Sequence, residues 1–206
     1  DIGCGAGINQ IILSKLYGIK CTVIDRFEEF NPEHNRTAGD TDTVIKRLNE
    51  HSIRVIVGSY ADINTSDFED SFDVVTSFDV IEHLTHKPKL FLDILNNLRN
   101  SNGCVLMGTP NQQHIINRIK SLFGKNTWED FDIWFDCENF YGHVRELLPS
   151  ELLKIGNFYN RDSSNVDVKI LASNYPFKYR LKRFGYIIDR LLSKISSLSY
   201  YLIVKF

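Results

Sequence analysis

Three observations place this chain of 206 residues among α/β proteins with a doubly wound, mostly parallel sheet. Short apolar runs rich in β-branched residues alternate with runs whose apolar residues recur at helical spacing. Three glycines, Gly3, Gly5 and Gly7, stand at alternate positions between the end of a strand and an amphipathic run, Ile8 to Leu16. An acid, Asp25, closes the second apolar run, and open α/β sheets hold ligands at the carboxyl ends of their strands.

Composition bounds the function. Hydrophobic residues make up 43% and charged residues 24%, as in ordinary soluble domains. Net charge is −2, so nothing draws the whole chain toward nucleic acid. Charge is uneven, however: residues 178–206 hold seven Lys or Arg against one acid, Asp189. Cys4, Cys21, Cys104 and Cys137 form no C-x-x-C pair and read as reduced thiols, which points to a cytoplasmic setting. No apolar run approaches the roughly 20 residues of a membrane span. The chain opens inside what should be the central strand, so we expect an N-terminally truncated fragment that lacks most of that strand.

The glycine stretch Asp1-Ile2-Gly3-Cys4-Gly5-Ala6-Gly7 reads as a tight strand-to-helix turn that lets a ligand approach the backbone. A dinucleotide fingerprint would put its third glycine at Ile8, so that fingerprint fails. The first helix runs from about Gly7 to Tyr17, with Ile8, Ile11, Ile12 and Leu16 on one face and Gly18 as its C-cap. Lys20 to Asp25 is a strand. The Asp25 carboxylate can accept both hydroxyls of a ribose; the plainer roles are a loop cap or a partner for Arg26. Asp40 or Thr41 caps a helix carrying Val44, Ile45 and Leu48. Ile53 to Gly58 is the third strand and Phe72 to Phe78 the fourth, with Phe78 to Leu84 crossing its carboxyl end. Pro88 to Asn100 is a helix, Asn102-Gly103 a turn, and Cys104 to Gly108 the fifth strand. Residues 112–142 break the alternation: they carry Trp128, Trp134 and five Phe or Tyr without a clear period. They read either as a lid over an acceptor pocket or as an irregular helical excursion. Val166 to Ala172 and Tyr200 to Phe206 are the last two strands, joined through a basic amphipathic helix at 178–197. That helix packs on the sheet and leaves at most a weak peripheral membrane contact to its basic face.

The opening DIGCGAG resembles motif I of the class I S-adenosylmethionine-dependent methyltransferases, including the methyltransferase domain 11 and 23 types. The stretch Phe78-Asp-Val-Ile-Glu-His-Leu84 looks like the same family's "FDVIEHL" motif. Thr109-Pro110-Asn111 and Gly142-His143-Val144-Arg145-Glu146 match its "TPN" and "GHVRE" segments. The resemblance spans the chain and implies a Rossmann-like fold of seven strands, the last antiparallel, in a single domain over residues 1–206. It implies S-adenosylmethionine as cofactor, held by Asp1, Gly3, Gly5, Gly7, Asp25, Phe78 and Asp79. An adenine-contacting acid often follows the third strand directly; here Ser59 stands there, with Asp62 three residues on.

The acceptor expected is a small molecule, saccharide or lipid-linked compound methylated on oxygen, not a nucleic acid. A hydroxyl acceptor wants a base within hydrogen-bond reach. His143 and His83 are the catalytic candidates, His83 doubling as support for the cofactor loop. Glu82, Arg145, Trp128 and Trp134 are the expected acceptor-side residues; Arg145 can instead pair with Glu146 or Glu151. Glu82 with His83-x-x-His86 suggests a metal, but no third ligand has convincing spacing and Cys137 to His143 fits no zinc pattern, so no metal is expected. A nicotinamide-dependent oxidoreductase and a non-catalytic cofactor-binding scaffold are the alternatives.

Overall fold

The computed structural model describes residues 1–27, 40–68, 72–85, 87–128, 131–136, 142–159, 167–174 and 197–206. Helix α1 spans Ile8–Tyr17, α2 Thr41–Glu50, α3 Pro88–Leu98, α4 Ile115–Leu122, α5 Phe131–Asp136 and α6 Pro149–Tyr159. The strands are β1 Thr22–Asp25, β2 Arg54–Val57, β3 Phe72–Phe78, β4 Arg99–Pro110, β5 Asp167–Asn174 and β6 Ser197–Lys205.

β1 pairs with β2 in parallel, and β3 pairs with β4 in parallel. β6 runs antiparallel between β4 and β5. Asp1 to Gly3 joins the two groups. Ile2 forms a parallel bridge with Ile24, the Gly3 N–H donates to the Ile24 carbonyl at 2.8 Å, and the Ile2 N–H donates to the Thr76 carbonyl at 2.9 Å. The order is therefore β2-β1-(Asp1–Gly3)-β3-β4-β6-β5, a mostly parallel α/β sheet with one antiparallel strand. Among the described residues the opening segment contributes a single bridge rather than a full strand.

Alternation along β1 puts helices on both faces. Val23 and Ile24 are adjacent and so point to opposite sides of the sheet. Val23 packs with Phe27, Val44 and Leu48, the last two from α2. Ile24 belongs to the larger core, with Phe91 and Leu95 of α3, Leu152 and Tyr159 of α6, and Val105, Met107, Leu202 and Val204 of β4 and β6. The Tyr159 hydroxyl, buried there, donates to the Leu92 carbonyl at 3.2 Å.

Several boundaries move. β4 begins at Arg99, so Asn102 and Gly103 lie inside the strand, where its register with β3 shifts between Phe72 and Val74. Asp40 caps α2 as expected, accepting from the Thr43 N–H at 2.8 Å. The apolar side of α1 stays largely exposed: Ile8 at 58% and Leu16 at 68%. Gln10 is the buried residue of that helix, because its amide donates to the Asp1 carboxylate at 2.7 Å. The basic helix expected at 178–197 lies, apart from Ser197, outside the described residues.

Candidate functional site

The glycine turn is braced from three sides. Asp1 accepts from Gln10 Nε2 at 2.7 Å and from Thr76 Oγ1 at 2.6 Å, tying the turn to α1 and β3. Arg47 of α2 donates to the Ala6 carbonyl at 2.8 Å. Asp25 accepts from the Gly5 N–H through Oδ2 and from the Phe27 N–H through Oδ1, both at 2.8 Å. The acid at the end of β1 thus clamps the turn. Each of its oxygens retains a lone pair for a further donor.

Gly3 and Gly5 show what the turn faces. Both adopt left-handed φ, +76° and +52°, where a Cβ is strained. A Cβ on Gly3 would stand 2.2 Å from Val80 Cγ2, so the loop after β3 closes directly over the turn. A Cβ on Gly5 would meet nothing within 4 Å among the described residues. Gly5 therefore presents bare backbone to open space beside Asp25. That surface fits a ligand that needs close backbone approach and a hydroxyl-binding carboxylate. Phe27 and Asp79, following β1 and β3, also take left-handed φ of 50° and 55°. Such backbone is uncommon outside glycine and concentrates at functional edges. Phe78 packs edge-on against Tyr201 at 5.8 Å, and the Asp79 N–H donates to the Gly108 carbonyl at 3.0 Å. Asp62 lies exposed in the turn Tyr60–Asp62 beyond β2.

The Cys4 thiol sits beside this clamp. Burial, with Asp25 nearby, pushes it up to about 12, so it is an unreactive thiol. Cys4, Cys21 and Cys104 are free and half-buried; Cys137 lies outside the described residues.

A second cluster forms where the loop after β3 meets the segment before α6. The Val144 and Arg145 N–H groups donate to the Glu82 carbonyl at 2.7 and 3.0 Å. This backbone contact brings His143 to His83 although 60 residues separate them. Their rings meet edge to face, centroids 4.8 Å apart. His83 Nδ1 lies 3.1 Å from the Gly142 carbonyl and must donate to it, since a carbonyl only accepts. His143 Nδ1 lies 2.8 Å from Glu146 Oε1. Glu82, between them in the chain turn Ile81–His83, is 0% exposed, and neither carboxylate oxygen has a hydrogen-bond partner among the described residues. Burial pushes its carboxyl up to about 7, and the charge of Asp79 adds to the rise; the nearby Glu82 backbone N–H, then His143 and Thr109, pull the other way. Glu82, His83 and His143 each place a ligand atom within 4.8 Å of the others.

The other expected acceptor-side residues are Arg145, Trp128 and Trp134. Arg145 pairs with Glu151, whose other oxygen accepts from the Leu148 N–H at 2.9 Å and so caps α6. Residues 112–142 contain α4 and α5, with Leu122, Phe123, Phe131 and Phe135 all exposed. Trp128 is 46% exposed, and the Trp134 side chain and His86 lie outside the described residues. Sequence reasoning missed Glu146 as the partner of His143 and Gln10 as the partner of Asp1. A Glu three residues after a His carries no signal until the loop is folded.

The chain matches the family described as "Methyltransferase domain" over residues 1–159. Among solved structures it is similar to a SAM-dependent methyltransferase from Archaeoglobus fulgidus, with TM-score 0.61, 18% identity, all of this chain and 84% of that one covered. It is also similar to the plantazolicin methyltransferase BpumL in complex with a substrate analogue and SAH, with TM-score 0.57, 17% identity and coverage of 100% and 75%. The small RNA methyltransferase HEN1 superposes with TM-score 0.56 at 16% identity, over 100% of this chain and 23% of that one. No curated protein sequence matches.

Proposed function

The chain belongs to the methyltransferase-domain family and is an S-adenosylmethionine-dependent methyltransferase, and from that premise we propose that it methylates a hydroxyl group of a small-molecule or glycan-type acceptor. The observation that carries this reading is the placement of two sites at the carboxyl edge of one sheet. The glycine turn clamped by Asp25 lies after the opening segment and β1, and the Glu82–His83–His143 cluster lies after β3.

S-adenosylmethionine, when bound, supplies a methyl group on a positively charged sulfur. Gly3, Gly5 and Gly7 would shape its cradle, with Gly5 as the bare backbone face and Asp25 as the ribose acceptor. Asp1 holds the turn in place through Gln10 and Thr76, and Phe78, Asp79 and Asp62, at or beyond the ends of β3 and β2, would add to cofactor binding. Transfer to a hydroxyl releases a proton. His143 would receive it: Glu146 orients its ring through Nδ1, which leaves the lone pair on Nε2. His83 holds the opposing face. Phe123, Trp128, Phe131 and Phe135, exposed in 112–142, with Trp134 of the same stretch, would supply a lid for an acceptor with apolar parts. Arg145 is committed to Glu151 and would have to leave that pair to hold an anionic acceptor.

Among the described residues no helix is long and apolar enough to cross a membrane. Weak peripheral contact through 178–197 and a cytoplasmic setting belong to the same reading. Incubation with isotopically methyl-labelled cofactor and a panel of hydroxylated metabolites, saccharides, lipid-linked glycans and RNA tests it. Label should appear as a methyl ether in the first three classes. Label recovered only in RNA or on nitrogen would overturn it.

A further inference from the structure

We propose that Glu82, His83 and His143 form a binding site for a divalent transition-metal ion. One atom from each residue lies within 4.8 Å of the others. Two imidazoles and one carboxylate are the donor set that first-row divalent metals favour over magnesium or calcium. Bond lengths of about 2.0–2.2 Å put neighbouring ligand atoms about 3 to 3.5 Å apart, so the three side chains need only draw together slightly.

Two further observations point to a ligand here. Glu82 is 0% exposed, yet both of its carboxylate oxygens lack a hydrogen-bond partner among the described residues. A buried carboxylate left so is costly unless something cationic completes it. The histidines are also oriented from outside the cluster. His83 donates Nδ1–H to the Gly142 carbonyl, and His143 presents Nδ1 to the Glu146 carboxylate. Metal-ligating histidines characteristically use their second nitrogen in this way, which makes Nε2 of each the ligand atom of this proposal. Asp79, exposed three residues before Glu82, adds negative charge near the site. With the ion bound, the Nε2 lone pair of His143 would be a metal ligand and no longer the proton acceptor; the ion would instead polarise the acceptor oxygen and ease loss of its proton to solvent. That role rests on the acceptor reading; the binding does not.

The test uses the full chain, stripped with chelator and titrated with Co2+ while visible absorption is followed, then with Zn2+ in competition. One equivalent of Co2+ should give ligand-field bands that Zn2+ abolishes. His143→Ala and His83→Ala, in loops that carry little of the core, should weaken binding by at least about 100-fold. Glu146→Gln, outside the ligand set, should weaken it by about 10–100-fold. Glu82→Gln should act like the histidine variants, with circular dichroism confirming that it folds. Absence of a saturable one-equivalent site, or wild-type affinity in His143→Ala, would overturn the site even if methyl transfer proceeds. Tight binding without transfer to any hydroxyl acceptor would uphold the site and remove the acceptor reading alone.

Discussion

Replacing Gly5 and Gly3 by alanine separates what the glycine turn does for folding from what it does for the cofactor. Both residues hold left-handed φ, a conformation that costs an L-residue about 1–2 kcal/mol. Restricting the unfolded chain returns about 0.4–1 kcal/mol. For Gly5→Ala no clash is added, since its Cβ would meet no atom within 4 Å among the described residues; the expected loss of stability is about 1 kcal/mol. Gly3→Ala adds a Cβ 2.2 Å from Val80 Cγ2, an overpacking worth a further 1–3 kcal/mol or so. Its total loss should be about 2–4 kcal/mol. Binding should follow a different order. Gly5→Ala places a methyl group on the open face beside Asp25 and should weaken S-adenosylhomocysteine by at least about tenfold, or 1.4 kcal/mol. Denaturant unfolding measures the first quantity and titration calorimetry the second. Adding Val80→Ala to Gly3→Ala should recover stability and leave Gly5→Ala unaffected. Wild-type binding by Gly5→Ala, or equal stability of the two single variants, would refute this account of the turn.

Asp25→Ala removes the acceptor of the Gly5 and Phe27 N–H groups and should cost about 1–3 kcal/mol in S-adenosylhomocysteine binding, read by calorimetry. His143→Ala should lower turnover by about 10²–10⁴-fold while cofactor affinity stays near wild type; a parallel loss of cofactor affinity would move the residue to the cofactor side. Glu82 should make the metal-free protein less stable as pH rises. Its folded carboxyl titrates at about 7 against an ordinary 4.5, so the folded state binds the extra proton between those values. Stability present below about pH 4.5 should fall by roughly 3 kcal/mol by pH 7 and beyond. Glu82→Gln should flatten that slope in urea melts taken at several pH values.

Much of the site was legible because it is local. A turn with glycines at alternate positions, an acid at the end of the next strand and an apolar run capped by Asp40 each announce themselves within a few residues. The exposed apolar side of α1 was not legible. Helical spacing marks a face as apolar and does not say what, if anything, covers it; the burial of Gln10 instead follows from its bond to Asp1. Nor does composition say what the aromatics of 112–142 face; among the described side chains Phe123, Trp128, Phe131 and Phe135 are exposed.

The metal question separates the two sources of information most sharply. Read along the chain, Glu82, His83 and His86 have no further ligand cluster at a convincing spacing, and no metal is expected. Spacing rules apply only to ligands that share one helix, hairpin or loop. His143 reaches His83 across 60 residues because two backbone N–H groups, of Val144 and Arg145, bond to the Glu82 carbonyl. The alternation of strands and helices, the glycine turn and the acid at its edge depend on near neighbours, so the sequence alone determined them. Which distant loops share the carboxyl edge of the sheet is set by strand order and by hydrogen bonds between remote segments, and only the tertiary structure decided that.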